Sequence, residues 1–471
     1  MKLSRYVTTA VVDSNIGIHS GRDGSHSILD LDDWRRVTAF LDGRDSGTEI
    51  EPLLEELVKH RVIIHDDADE LNALRSAYQR SRYSGTLGFT VVTSLGCNFA
   101  CSYCFEDKRP SLLRPEVADA IVRVVDETPD PLGTVNVTWM GGEPLLGKTQ
   151  LLALSDRLIA RCEARGARYQ AGIITNGWHL DGETARELAD RHVRRAQVTL
   201  DGPAHVHDRY RPHLNGGSTF ERIVDNLAEA AEHLTIAVRV NIDEGNLGDA
   251  DELLRELSNR GLADRIAVSA ARMTGVVANP QAPIASYGGS CFNSSDFAEV
   301  DLAFEELAGR YGFRIGSLPR PVATPCTAVR ASEIVVGSEG ELWKCWDDIG
   351  NDEQTIGTIF DYTDVNDRLA PWLAYDPFSD DDCSQCIALP GCMGGCAHHL
   401  YHGDRTERCG SFRFNHARQV EIATRRKLEL PIEINLDMLT RSNPDPQRGV
   451  PVTLTRRRVA TPVLSSALSA S

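Results

Sequence analysis

Short apolar, β-branched runs alternate with longer stretches of helical period through the middle of the chain. The runs are Gly88–Ser94, Thr134–Met140, Tyr169–Thr175, Ala196–Leu200, Thr235–Asn241 and Arg265–Ala270, each followed by a segment with apolar residues at helical spacing. Strand and helix in alternation predict a parallel sheet with crossover helices, and active residues at the C-terminal ends of the strands. The pattern differs on either side of this block. Within residues 1–85, Trp34, Val37 and Leu41 share one helical face, and Leu53, Leu54, Leu57 and Val58 share another. A strand-like Arg61–Ile64 follows, which predicts two helices and a wing. After about 316 the alternation stops, and cysteines crowd in among Gly, Pro and Asp. Such a stretch buries little apolar surface and calls for metal staples. A helix is expected over 413–440. The tail 441–471 has no periodicity, carries Arg456-Arg457-Arg458, and reads as disordered.

Composition narrows the class of partner. With 41% hydrophobic residues in 471, the chain can build real cores in about three domains. A net charge of −18 repels phosphate backbones and acidic membranes, so neither nucleic acid nor membrane is expected as the main partner. The first twenty residues lack the apolar stretch of a signal peptide, and no run of about eighteen apolar residues offers a span, so a cytoplasmic location is expected. Twelve cysteines in a reducing compartment should be ligands or reactive thiols rather than disulfides.

Their spacing carries the chemistry. Cys97, Cys101 and Cys104 stand as Cys-x3-Cys-x2-Cys just past the first strand, in TSLGCNFACSYCFE. Thiolates are the ligands that iron–sulfur clusters select, and three of them leave one iron of a four-iron cube without a protein ligand. Zinc, or plain burial, is the other reading. The second strand ends in Gly141-Gly142-Glu143-Pro144, where glycine lets the backbone approach a ligand and Glu143 offers an acceptor to a cationic amine. The same stretch fits a phosphate-cradling loop, Gly142-x4-Gly147-Lys148-Thr149, with Asp201 as a magnesium carboxylate. Pro144 offers no amide to that cradle, however, and Glu143 brings negative charge toward phosphate. Thr175-Asn176-Gly177 closes the third strand and Leu200-Asp201-Gly202-Pro203 the fourth. Such loops also suit any strand-to-helix turn. Arg209 and Arg211 follow in HDRYR, and Arg239 and Asn241 sit on the fifth strand. Downstream come Cys326-x13-Gly340-x4-Cys345, then Cys383-x2-Cys386-x5-Cys392-x3-Cys396, then Cys409. Paired cysteines of this kind also suit zinc. Cys162 lies in an apparent helix and reads as structural, and His398 and His399 read as solvated or as neighbours of a cluster.

Over residues 86–412 these motifs together resemble the radical S-adenosylmethionine (SAM) enzymes that carry a C-terminal SPASM domain. The resemblance implies an α/β fold: a partial (β/α)6 TIM-like barrel over 86–315, preceded by a small winged-helix-like domain (1–85) and followed by a cysteine-rich SPASM domain (316–412). It implies three 4Fe-4S clusters and SAM as cofactors. By resemblance Cys97, Cys101 and Cys104 hold the radical-generating cluster, whose open iron chelates SAM. Gly141, Gly142, Glu143 and Pro144 would contact the SAM amino group, and Thr175 and Asn176 its ribose or carboxylate. Asp201, Arg209 or Arg211, Arg239 and Asn241 would surround the same cofactor. Cys326, Cys345 and Cys396 would ligate one auxiliary cluster, and Cys383, Cys386, Cys392 and Cys409 the other. The segment before Cys326, SLPRPVATP, lacks a cysteine that some members have. The first auxiliary cluster therefore keeps an open iron or takes Cys291 as a distant fourth ligand.

Asp347 would serve as a proton acceptor. Residues 1–85 resemble the winged-helix elements that hold a precursor's leader, and the acidic run Asp66–Glu70 argues against DNA there. The activity implied is hydrogen abstraction from a ribosomally made peptide to install a thioether or carbon–carbon cross-link, with electrons from a flavodoxin- or ferredoxin-type donor. Formylglycine formation on a target protein is the alternative within the class. A non-catalytic iron–sulfur electron carrier or a P-loop ATPase is the alternative outside it.

Overall fold

Residues 1–440, apart from 47, 278, 317 and 404, are described by the computed structural model; the expectation for 441–471 falls outside them. The chain opens with β1 (Lys2–Leu3) and an antiparallel meander of β2 (Val7–Val12), β3 (Asn15–Ser20) and β4 (His26–Asp30). Then follow α1 (Leu31–Leu41), α2 (Glu51–Lys59), β5 (Ile63–Ile64) and α3 (Glu70–Arg82). Both expected helices are present, and the Asp30 side chain caps α1 by accepting from the Asp32 amide. The expected wing is instead a two-residue strand that pairs antiparallel with β1. The meander and α3 come in addition to the sequence reading.

The central block is β6 (Thr86–Ser94), α4 (Pro115–Glu127), β7 (Thr134–Gly141), α5 (Lys148–Ala164), β8 (Arg168–Thr175), α6 (Gly182–Asp190) and β9 (Val193–Thr199). It continues with α7 (Ala204–Tyr210), α8 (Phe220–Ala230), β10 (Thr235–Ile242), α9 (Ala250–Asn259), β11 (Ile266–Arg272) and α10 (Ser294–Arg310). The strands lie in the order β11-β10-β9-β8-β7-β6, and every neighbouring pair is parallel. β6 is buried on both faces from Leu87 to Ser94, as expected of a strand covered on both sides. Helix α8 shows why the outer layer holds. Phe220, Ile223, Val224, Leu227 and Ala230 are buried at helical spacing while Glu221, Arg222, Asp225 and Glu229 face out. Each large apolar side chain so buried contributes roughly 1.5–3 kcal/mol.

The strand–helix alternation stops after α10, and the cysteine-rich region adds edge strands to the same sheet. β12 (Glu333–Val336) pairs parallel with β6, and β13 (Glu341–Trp343) and β14 (Gly357–Thr358) extend the edge antiparallel. Beyond them the helices are short: α11 (Leu369–Leu373), α12 (Asp381–Ser384), α13 (Leu389–Cys392) and α14 (Ala397–His402). The last helix, α15 (Phe412–Lys427), stops well before the expected 440. Glu429 turns left-handed at φ 56° and Pro431 cannot continue a helix.

Two contacts tie the N-terminal unit to the C-terminal one. Tyr6, Leu74 and Tyr78 share a buried cluster with Val329, Trp372, Tyr375 and Phe378. Tyr78 donates to the Tyr375 carbonyl at 2.7 Å, and Arg82 Nε to the Val329 carbonyl at 2.8 Å. On the other side α15 lies so close to β3 that a Cβ on Gly17 would fall 1.8 Å from Thr424 Oγ1. No helix of the described residues is long and apolar enough to cross a membrane.

Candidate active site

The C-terminal ends of the parallel strands open onto one cavity of about 320 Å³. Cys97, Cys101 and Cys104 line it from the loop after β6, Gly141 and Gly142 from β7, Thr175 and Asn176 from β8, and Arg239 and Asn241 from β10. Trp346, Asp347, His398 and His399 of the cysteine-rich region close it. The two glycines are sterically required. A Cβ on Gly141 would stand 2.4 Å from the Ser94 carbonyl oxygen, and one on Gly142 2.5 Å from that of Gly96, so only glycine lets this turn nest against the cysteine loop.

Glu143 does a different job from the one expected. It is fully buried and absent from the cavity wall. Its Oε1 accepts from Thr175 Oγ1 at 2.7 Å and the Leu145 amide at 3.0 Å, and its Oε2 accepts from the Asn176 amide at 2.8 Å. The carboxylate therefore fastens the end of β7 to that of β8. Pro144 is also buried away from the cavity, its carbonyl accepting from Thr93 Oγ1 at 2.8 Å. Asn176, held this way, donates Nδ2–H to Asn98 Oδ1 at 2.8 Å beside the Cys97 sulfur.

Asp201 (1% exposed) accepts from the Tyr103 hydroxyl and, at 3.2 Å, from the Asn241 amide. Tyr103 Oη accepts from Arg211 Nη1 at 2.7 Å and from Asn241 Nδ2 at 3.2 Å. This network sets Arg211 and Asn241 on the wall while Asp201 supports them from behind. Arg209 does not take part: it is exposed, with its guanidinium over the Tyr210 ring. Helix α7 puts alternate turns of HDRYR on opposite sides, so Arg211 is the arginine that reaches the cavity. Burial holds the Tyr103 phenol well above its usual range.

Sequence reasoning missed Tyr103, Glu106, Lys108, Arg272 and Met273, all of which line the cavity. Three of them lie in CSYCFEDK, inside or directly after the cysteine triplet, and adjacency was the available signal. Burial works against the Lys108 charge, yet the facing Cys104, Cys101 and Cys97 hold its pKa above the usual lysine value. Its Nζ also donates to the Phe99 carbonyl at 2.9 Å. Burial pushes the Glu106 carboxyl up to about 7; Lys108 opposes this, and Asp347 and Glu143 add to it.

No disulfide joins any of the twelve cysteines. The downstream set falls into two neighbourhoods. Cys345 and Cys326 both stand within electrostatic reach of Cys396. Cys383 stands within reach of Cys392 and Cys409, and Cys392 within reach of Cys409 and Cys386. A tetrahedral zinc site would gather its sulfurs to about 3.8 Å from one another. Among the described residues no three cysteine sulfurs all approach within 4.8 Å.

Cys291 sits on the segment between β11 and α10. It packs with Val206, Tyr210 and Met273, and its charged neighbours are Asp243, Arg272, Glu244 and Glu407. The segment between β11 and α10 keeps it on the barrel side. Asp347 Oδ2 lies 3.8 Å from Cys345 Sγ and 3.9 Å from His398 Nδ1. Cys162 is buried in the barrel core. Lys148, the lysine of the phosphate-loop reading, pairs with Glu187 at 2.8 Å and Thr184 at 3.3 Å, and Glu143 inside the same loop is engaged by Thr175 Oγ1 and the Asn176 amide. The loop is not a nucleotide cradle.

Comparison with known proteins agrees with this geometry. Residues 91–257 match the Radical SAM superfamily. The chain is 27% identical over 138 residues to the cysteine-type anaerobic sulfatase-maturating enzyme of Clostridium perfringens, an alignment that spans 28% of the chain and only 36% of that enzyme. It is 23% identical over 350 residues to the serine-type anaerobic sulfatase-maturating enzyme of Klebsiella pneumoniae, spanning 67% of the chain and 82% of the enzyme. The solved structure of native anSMEcpe with bound AdoMet superposes with a TM-score of 0.54 at 17% identity, covering 72% of the chain and all of that structure. At that identity the likeness concerns the fold.

Proposed function

Because the chain is a radical SAM enzyme related to the anaerobic sulfatase-maturating enzymes, we propose that it abstracts hydrogen from a bound, ribosomally made peptide and leaves that peptide cross-linked through a thioether or carbon–carbon bond. The observation that carries this reading is the single cavity shared by the cysteine triplet, four strand ends and Asp347 of the cysteine-rich region. When bound, a 4Fe-4S cluster on Cys97, Cys101 and Cys104 together with SAM supplies a 5′-deoxyadenosyl radical, and auxiliary clusters on the downstream cysteines take the surplus electron.

The chain's own residues do the rest. Gly141 and Gly142 present bare backbone beside the cysteine loop, where a zwitterionic amino acid head group can approach closely. Arg239 and Arg211 offer guanidinium donors to its carboxylate, and Asn241 is held ready by Tyr103. Lys108 offsets the negative charge of the thiolates. Removing a hydrogen atom and an electron from a peptide carbon while a side-chain nucleophile bonds to it also releases a proton. Asp347 Oδ2, on the wall between the two cysteine groups, is placed to receive it.

A peptide substrate is supported by the N-terminal unit, whose small sheet and three helices precede the barrel and suit the holding of a peptide leader. Formylglycine formation on a protein is the second reading, favoured by the named activities of the two relatives.

Anaerobically reconstituted, dithionite-reduced protein mixed with SAM should release 5′-deoxyadenosine, and Cys101→Ala protein should release none. Absence of release from the wild type sinks the radical reading. With a peptide substrate, loss of two hydrogens and no product trapped by hydrazide supports the cross-link, whereas hydrazide trapping supports formylglycine.

A further inference from the structure

Outside the cysteine groups, one cluster of metal-ligating side chains among the described residues holds buried donor atoms without hydrogen-bond partners. Asp348 comes from the turn after Cys345, and His398 and His402 lie one helical turn apart on α14. Asp348 Oδ1 stands 3.6 Å from His398 Nε2 and 4.0 Å from His402 Nε2, and the three donors all lie within 4.8 Å of one another. The two imidazole centroids are 4.7 Å apart. Asp348 is 1% exposed and His398 4%. Asp348 Oδ1 and both ring nitrogens of His398 are buried with no hydrogen-bond partner.

Leaving such groups unsatisfied costs about 1–3 kcal/mol each, and more for a charge, so native interiors rarely do it. A separation of 3.6 Å is too long for a hydrogen bond. It is close to the roughly 3.3 Å between two donors that each stand about 2.0 Å from one tetrahedral ion. We propose that Asp348, His398 and His402 hold a mononuclear divalent transition-metal ion, with zinc the best-matched class, in a site separate from the cysteine clusters. Two imidazoles and one carboxylate suit zinc rather than magnesium or calcium, which favour all-oxygen shells. Asp347 Oδ2, 3.9 Å from His398 Nδ1, stands where an outer carboxylate would orient the ligand ring. The ion would brace the turn after Cys345 against the helix after Cys396, the two segments that carry the first downstream cysteine group.

The test uses the cluster-loaded holoenzyme with zinc supplied as the probe and then dialysed. One zinc per chain should remain, and x-ray absorption at the zinc edge should show a nitrogen/oxygen shell at about 2.0–2.1 Å without a sulfur shell near 2.3 Å. His402→Gln, the least buried ligand, should lower retained zinc at least about tenfold while iron per chain stays at the wild-type value. No zinc retained by the wild type overturns the proposal, as does a sulfur shell, which would put zinc on the cysteines. Equal retention by His402→Gln and Asp348→Asn with intact iron content overturns it too. If a variant loses iron through misfolding, the wild-type spectrum decides alone.

Discussion

In the barrel, Val198, Leu200, Phe220, Ile223, Leu227 and Val238 are buried in one continuous apolar cluster, each with no solvent exposure. Residues 381–402 of the cysteine-rich region close instead around thiols, imidazoles and carboxylates, on helices of four to six residues. A helix that short is not stable by itself and must be held from outside. The barrel is held by removing hydrocarbon from water. The cysteine-rich region has a smaller apolar cluster, built on Tyr78, Trp372, Phe378, Leu389 and Met393, and metal bound by its thiols would supply the rest of its hold. Radical chemistry needs both kinds of construction, because the cavity lies where they meet.

The widest gap between the two should appear on stripping the clusters with a chelator under reducing conditions. Amide-exchange protection over 381–402 is expected to fall close to that of an unfolded chain, whereas β6 to β10 keep theirs. Equal loss in both regions would break the comparison, since the barrel would then depend on metal as well.

A second, smaller effect works from the barrel side. Leu227→Ala leaves a hole beneath α8 and should cost about 2–5 kcal/mol of barrel stability in denaturant titration. Iron bound per chain should stay at the wild-type level, because Leu227 sits on α8 and in none of the cysteine loops. A parallel drop in iron would show that the two regions fold as one unit.

This difference in construction also decided what could be read from sequence. Buried parallel strands write themselves as runs of Val, Ile and Thr, and every predicted barrel strand overlaps an observed one. The N-terminal meander has weaker writing: NIGIHS and HSILD mix polar with apolar residues because α15, distant in sequence, covers one side of β3. Its turns were legible all the same, in Asp13-Ser14 and in Gly21 to Gly24. β12 and β13 flank a Gly337-Ser-Glu-Gly340 turn that spells a hairpin, obscured by attention to the cysteines around it. In the site, residue type and spacing located the loops, but the direction of a side chain was beyond reach. Glu143 turns inward to tie two strands together, and Arg211 rather than Arg209 reaches the cavity. For the downstream cysteines the electrostatic neighbours pair Cys326 and Cys345 with Cys396, and Cys383 and Cys392 with Cys409, while those of Cys291 are Asp243, Arg272, Glu244 and Glu407.

The rim of the barrel offers a finer measurement. His207 is fully buried, its Nδ1 accepts from the Asp201 amide at 3.3 Å, and its Nε2 has no partner. Burial lowers its pKa to about 3, so the folded protein keeps it neutral. Below about pH 6.5 the unfolded chain takes up a proton that the folded one refuses, and stability falls as pH falls. The loss is about 1.4 kcal/mol per pH unit, down to about pH 3. Comparing wild type with His207→Gln at pH 7.5 and pH 5.5 should reveal that difference as extra acid sensitivity of the wild type. A pH-independent difference would mean that water reaches the rim, and that the barrel is less dry at its functional end than its core suggests.

The smallest effect is expected at Lys148, and there a null result is informative. Gly142 to Thr149 has the spelling of a phosphate loop, so a nucleotide site at this edge would make the barrel a second, cluster-independent catalyst. In the structure the Lys148 ammonium is spent on Glu187 and Thr184 of α6, at the partly exposed outer surface. Ion pairs with that exposure contribute about 0–1 kcal/mol. Lys148→Ala should therefore leave 5′-deoxyadenosine release within about twofold of wild type and shift stability by no more than about 1 kcal/mol. ATP hydrolysis by the purified protein that vanishes in this variant would restore the nucleotide reading. It would also require Lys148 to leave Glu187 and Thr184 and a phosphate to settle beside the buried Glu143, at a cost in lost ion pairing and charge repulsion. The barrel edge has no visible compensation for that cost, which is why the cysteines, and not the glycine–lysine loop, define where this chain does its chemistry.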